Sequence, residues 1–82
     1  MTLTEEQVRA AIAGAIDRLD AATIGVETDF GDAGMDSLDH AQVLIQVEEL
    51  YGLRVADEDI ATCSSIAAII AYAREADPLA AP

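Results

Sequence analysis

Between residues 21 and 36 the chain loses its apolar periodicity, and it does so between two stretches that keep it. Gly25, Gly31 and Gly34 punctuate this interval, with Asp29 and Asp32 as turn formers. Upstream, Val8, Ala11, Ile12, Ala15, Ile16 and Leu19 recur on one face, which predicts a helix over residues 4–20. Thr4 and Gln7 fit a capping box, and Glu5 and Glu6 suit the positive end of the helix dipole. Downstream, Leu38, Ala41, Leu44, Ile45 and Tyr51 mark one face of a second helix over residues 37–51, widened by Val43, Val47 and Leu50. Asp36 suits its N-cap and Gly52 its end. Two helices joined by a long loop are therefore required. Loops of this length are uncommon unless functional or packed down by their own side chains. Ile24, Val26 and Phe30 are expected to pin this one.

The remaining third extends the same pattern. Leu53 to Ala56 form a short extended link, and Asp57-Glu58-Asp59-Ile60 starts a short third helix. Ser64 or Ser65 caps a last helix with Ile66, Ile69, Ile70 and Ala73 as its buried stripe. Asp77-Pro78 stops it. The expected fold is an all-α bundle of three longer helices and one short helix, with the long loop between the first two. One domain is expected over residues 1–82, folded over 4–76 with a frayed tail at 77–82.

Charge narrows the function classes. Sixteen acidic residues against four arginines and no lysine give a net charge of −12. Such a surface repels nucleic acid and anionic membranes and favours basic protein partners. Cys63 is the sole cysteine, so an intrachain disulfide and a Cys-rich metal site are excluded. No signal-peptide pattern opens the chain and no run reaches membrane-span length, so a cytoplasmic monomer is expected.

Three chemistries compete at the loop's end. A serine nucleophile at Ser37 needs an oriented base. The single histidine, His40, lies three residues on along the same helix and reads as a surface residue instead. A calcium loop starting at Asp29 would place Gly31, Ala33 and His40 where oxygen ligands are needed, so no metal site is expected. The third possibility makes Ser37 a modification site, a primary hydroxyl at a helix start where backbone N–H groups favour a phosphate.

The stretch Gly34-Met35-Asp36-Ser37-Leu38-Asp39 resembles the modification site of acyl carrier proteins. Val47-Glu48-Glu49-Leu50-Tyr51-Gly52-Leu53, Val55-Ala56-Asp57-Glu58-Asp59 and Ser64-Ser65-Ile66 to Tyr72 resemble later segments of that family, in order and spacing. The resemblance implies a non-catalytic carrier. Its Ser37, framed by Asp36 and Leu38, would receive 4′-phosphopantetheine from coenzyme A through a phosphopantetheinyl transferase. Asp39, Ala41, Ile45, Glu48 and Glu49 would dock acyltransferases or ligases and ketosynthase-type enzymes through their basic patches. Cys63 stands where the family has an aliphatic residue and is expected in the core, Ala56 where it often has proline, and Gln42 where fatty-acid carriers place an acid. Gln42 and His40 thus point towards polyketide or related specialised biosynthesis. The acid before the serine favours an acyl carrier over an aminoacyl or peptidyl carrier. An acidic helical adaptor without a prosthetic group is the alternative from another class.

Overall fold

A computed structural model describes residues 1–76. The expected helix stop at Asp77-Pro78 and the tail 77–82 lie outside the described residues. Helix α1 spans Glu5–Ala15, α2 Ser37–Tyr51 and α3 Ile66–Glu75, with single 3₁₀ turns at Ala21–Thr23 and Asp57–Asp59. Among the described residues there is no strand, and no helix is long and apolar enough to cross a membrane. The all-α bundle is as expected, with its short helix reduced to one 3₁₀ turn.

Each helix starts at a side-chain cap. Thr4 and Gln7 form the capping box of α1, with N···O distances of 2.9 and 3.1 Å. At α3 the choice between two serines falls on Ser65, whose hydroxyl accepts from the Ala68 N–H. Gly52 ends α2 in the left-handed region at φ 82°, where a side chain would be strained.

Helix α1 ends five residues before the expected Asp20. Ile16 turns extended (φ −135°, ψ 102°), although its N–H still reaches the Ile12 carbonyl. Leaving the helix there keeps Ile16 in the core and frees Arg18 to cross to the loop before α2. Asp20 then caps the first 3₁₀ turn through the Ala22 N–H. The apolar period over 4–20 therefore describes burial correctly as far as Ile16 but overstates the helix.

The long loop is pinned as expected by Ile24 and Phe30, both buried, and by half-buried Val26. It is also stitched by polar contacts that periodicity cannot show. Arg9 Nη1 donates to the Ala21 and Ile24 carbonyls, Phe30 N–H to the Ser64 carbonyl at 2.8 Å, and Ala67 N–H to the Val26 carbonyl at 2.9 Å. The loop is thereby tied to α1 on one side and to the start of α3 on the other.

The core is centred on Val8, Ile12, Phe30, Val43, Val47, Cys63, Ile66 and Ile69, all fully buried. On α2 the buried face is Val43, Leu44 and Val47. This corrects the face read from the sequence: Leu38, Ile45 and Leu50 are 67%, 47% and 50% exposed. Apolar residues encircle so much of α2 that spacing alone cannot orient it, and the packing against α1 decides. The stripe on α3 is as expected, with Ile66, Ile69 and Ala73 buried and Ile70 half-buried. Cys63 is fully buried, and burial pushes its thiol pKa up.

Candidate functional site

Two buried anchors, Phe30 and Met35, bracket the exposed part of the loop. The Phe30 carbonyl accepts from Met35 N–H at 3.0 Å, and Gly31 from Gly34 N–H at 3.1 Å. Gly34 closes this turn at φ 105°, a conformation that favours glycine. The chain then enters α2 with Asp36 as N-cap. Asp36 accepts from the Asp39 N–H at 2.8 Å, and Asp39 from the Asp36 N–H at 3.2 Å. Asp at the third helical position thus completes a reciprocal capping box.

Ser37 is the first residue of α2, and it is exposed. Among the described residues its hydroxyl makes no hydrogen bond. Asp36 and Leu38 flank it and are exposed as well. The hydroxyl therefore stands free beside the first-turn N–H groups of a 15-residue helix, a setting that suits a phosphodiester.

The acids here are partly neutralised. Arg18 grips both carboxylate oxygens of Asp39, Nη1 to Oδ1 at 3.2 Å and Nη2 to Oδ2, and also donates to the Gly34 carbonyl at 3.0 Å. The Arg18 hydrogen bond, followed by that from the Asp36 N–H, holds the Asp39 carboxyl below its usual range, and Asp39 in turn raises Arg18. Arg18 is the site residue that apolar spacing and motif do not reveal. Its signal in the sequence is the scarcity of cations: with four arginines in a chain of net charge −12, the partner of each one is informative.

A cleft of about 280 Å³ opens beside Ser37, between Asp29, Gly31, Asp36, His40, Ala61 and Ser64. His40 is not the surface residue expected. It is half-buried, its Nε2 donates to the Cys63 carbonyl at 2.7 Å, and its ring meets Phe30 edge-on at 5.6 Å. That commitment turns the ring nitrogen to the segment before α3, so the histidine cross-links elements where a serine hydrolase would need a base on Ser37.

The expected docking residues follow Ser37 along α2. Ala41, Ile45 and Glu49 succeed it at four-residue steps, which puts them on one stripe, with Glu48 beside it. Ala41 is half-buried, while Ile45, Glu48 and Glu49 are exposed. Glu48 meets Arg54 at 3.3 Å across an exposed pair. Asp39, by contrast, is occupied by Arg18. A second cleft, of about 240 Å³, lies between this stripe and the segment Val55–Ile60.

A family profile described as the phosphopantetheine attachment site matches residues 6–73. The chain is 31% identical over 77 residues to the mitochondrial acyl carrier protein of Dictyostelium discoideum, covering 90% of this chain and 64% of that one. It is 32% identical over 76 residues to the meromycolate extension acyl carrier protein of Mycobacterium tuberculosis, covering 88% and 66%. The acyl carrier protein of Onion yellows phytoplasma is 31% identical over 74 residues, covering 89% and 96%. The chain thus spans just under two thirds of the first two relatives and nearly all of the third. The family's prosthetic group, 4′-phosphopantetheine, suits the free hydroxyl and the helix start found at Ser37, and the reading as an adaptor without a prosthetic group falls. The chain belongs to the acyl carrier protein family, with its phosphopantetheine attachment domain over residues 6–73.

Proposed function

We propose that Ser37 carries the 4′-phosphopantetheine arm and that the protein is a non-catalytic shuttle for acyl groups. The observation that carries this reading is the exposed, unbonded Ser37 hydroxyl at the capped start of α2, within the matched residues. When bound, the arm supplies a terminal thiol that holds acyl groups as thioesters. The chain's own residues present it. Asp36 and Asp39 cap the helix and fix the Ser37 backbone, Arg18 offsets the charge of Asp39 beside the phosphodiester, and Leu38 stays exposed at the rim. The tether raises the effective concentration of cargo at each partner.

The partners of this reading are a phosphopantetheinyl transferase, acyltransferases or ligases, and ketosynthase-type enzymes. Ala41, Ile45, Glu48 and Glu49 would meet their basic patches, giving salt-sensitive contacts around a small apolar centre. The pathway favoured is polyketide-type or related specialised biosynthesis. Gln42 supports it, and the mycobacterial relative's name, a meromycolate extension acyl carrier protein, is compatible with a dedicated carrier. The test is intact mass after incubation with coenzyme A and a broad-specificity transferase. One phosphopantetheinyl group should be gained by the native chain and none by Ser37→Ala; modification of the variant would overturn the assignment.

A further inference from the structure

The turn Asp57–Asp59 belongs to the segment that walls the cleft beside α2, yet none of its residues is buried and no side chain caps its start. At its flanks the segment is tied down by the exposed Arg54–Glu48 pair and by His40 on the Cys63 carbonyl. Among the described residues, the side-chain hydrogen bonds that reach its middle from another element are those of Tyr72 on α3. The Tyr72 hydroxyl donates to Asp59 Oδ2 at 2.9 Å and accepts from the Ala56 N–H at 3.4 Å. The accepting carboxylate pushes the phenol pKa up, so it remains a donor. The Ala56 contact needs a backbone N–H there: the φ of −64° is the angle a proline would impose, but a proline has no N–H.

The cleft runs along α2 from Ala41, one turn beyond Ser37, to Glu48. Leu44, Ile45, Val55 and Ile60 make its surface apolar, which suits an alkyl chain. At about 240 Å³ it is small, and a longer chain requires the wall to move outward. We propose that Tyr72 is a positioning residue for cargo, whose hydroxyl clasps Ala56 and Asp59 and so sets the length of acyl chain that this cleft shelters. The inference rests on the proposed role of Ser37.

The experiment uses the holo protein loaded with saturated acyl chains of increasing length, and reads thioester hydrolysis against chain length together with amide exchange over residues 60–63. Tyr72→Phe keeps the ring and removes the hydroxyl. Exchange should quicken about two- to tenfold, the worth of one hydrogen bond, and the best-protected chain should become longer. Asp59→Asn keeps an acceptor but loses its charge, and should move both readouts the same way by less than Tyr72→Phe. Ala56→Pro fits the backbone φ but puts a ring carbon in place of the N–H that faces the Tyr72 hydroxyl, so it opens the clasp from the other side; it should move both readouts the same way, which keeps the test open if Tyr72→Phe unfolds. Faster exchange with an unchanged chain-length optimum would make the clasp structural only and overturn the inference, as would unchanged exchange. If the native protein takes the arm but protects no chain length, the sheltering cleft falls while Ser37 stands. If Ser37 takes no arm, both fall.

Discussion

Arg18 and Asp39 lie 21 residues apart and meet through two guanidinium nitrogens and both carboxylate oxygens. This bidentate pair joins the turn after α1 to the first turn of α2, two residues from Ser37. A third contact, to the Gly34 carbonyl, extends the tie to the turn before the helix.

Arg18→Gln should let the Asp39 carboxyl pKa rise, since its largest cause of depression is lost. The sign for stability follows from that depression. The pair's contribution is complete above the ordinary carboxylate pKa and is lost as pH falls through the lowered one. Carboxylate titration by NMR checks both points, and an unmoved Asp39 in the variant would show that Arg18 is not its partner in solution. Exposed pairs contribute little to global stability, so the expected effect is local: faster amide exchange over residues 34–39 and slower modification of Ser37.

Asp36 and Ser37 should separate cap from cargo. Asp36→Ala loses the N-cap and should cost about 0.5–2 kcal/mol. Ser37→Ala should cost no more than about 0.5 kcal/mol, because its hydroxyl is exposed and bonds to nothing among the described residues. Denaturant midpoints for the two variants give the comparison. A larger loss for Ser37→Ala than for Asp36→Ala would reverse the assignment of the cap.

Partner transfer should weaken with salt, because the Debye length falls from about 10 Å at 0.1 M to about 3 Å at 1 M. Glu49→Lys is the cleaner reversal, since Glu48→Lys also sets a cation against Arg54. Either should slow loading while leaving the far-UV spectrum unchanged. Loading kinetics indifferent to both salt and reversal would exclude electrostatic docking on this face.

Cys63 is fully buried, with its thiol pKa raised first by burial and then by Asp59. Cys63→Val should therefore be tolerated within about 1.5 kcal/mol, and Cys63→Asp should be severely destabilising because it buries an unpaired carboxylate. Native protein should react slowly with a bulky maleimide. Rapid stoichiometric labelling without unfolding would place the thiol outside the core.

Contacts that span few residues are legible in the sequence. The capping box of Thr4 and Gln7, the N-cap at Asp36, the glycine end at Gly52 and the span of α2 each depend on groups within a few positions of one another, so the residues in order determine them. The exposed serine at the start of α2 belongs to the same class. The buried face of α2 is not legible, because Leu38, Ala41 and Ile45 are as apolar as Val43 and Val47, and only the assembled core selects which side is covered. The end of α1 escapes periodicity for a related reason: Leu19 keeps the helical period, but Ile16 turns extended and Arg18 crosses to Asp39 and Gly34.

The order of residues alone thus determined that the chain is all-α, where its three helices begin and which serine opens the second, since local hydrogen bonding and apolar spacing suffice for these. Tertiary structure alone decided the grip of Arg18 on Asp39, the turn of His40 onto the Cys63 carbonyl and the clasp of Tyr72 on Asp59. Each of these bonds closes a loop of 13 to 23 residues. Their geometry exists only after the core has brought the helices together, because a hydrogen bond needs its donor and acceptor within about 3 Å and sequence spacing carries no such distance.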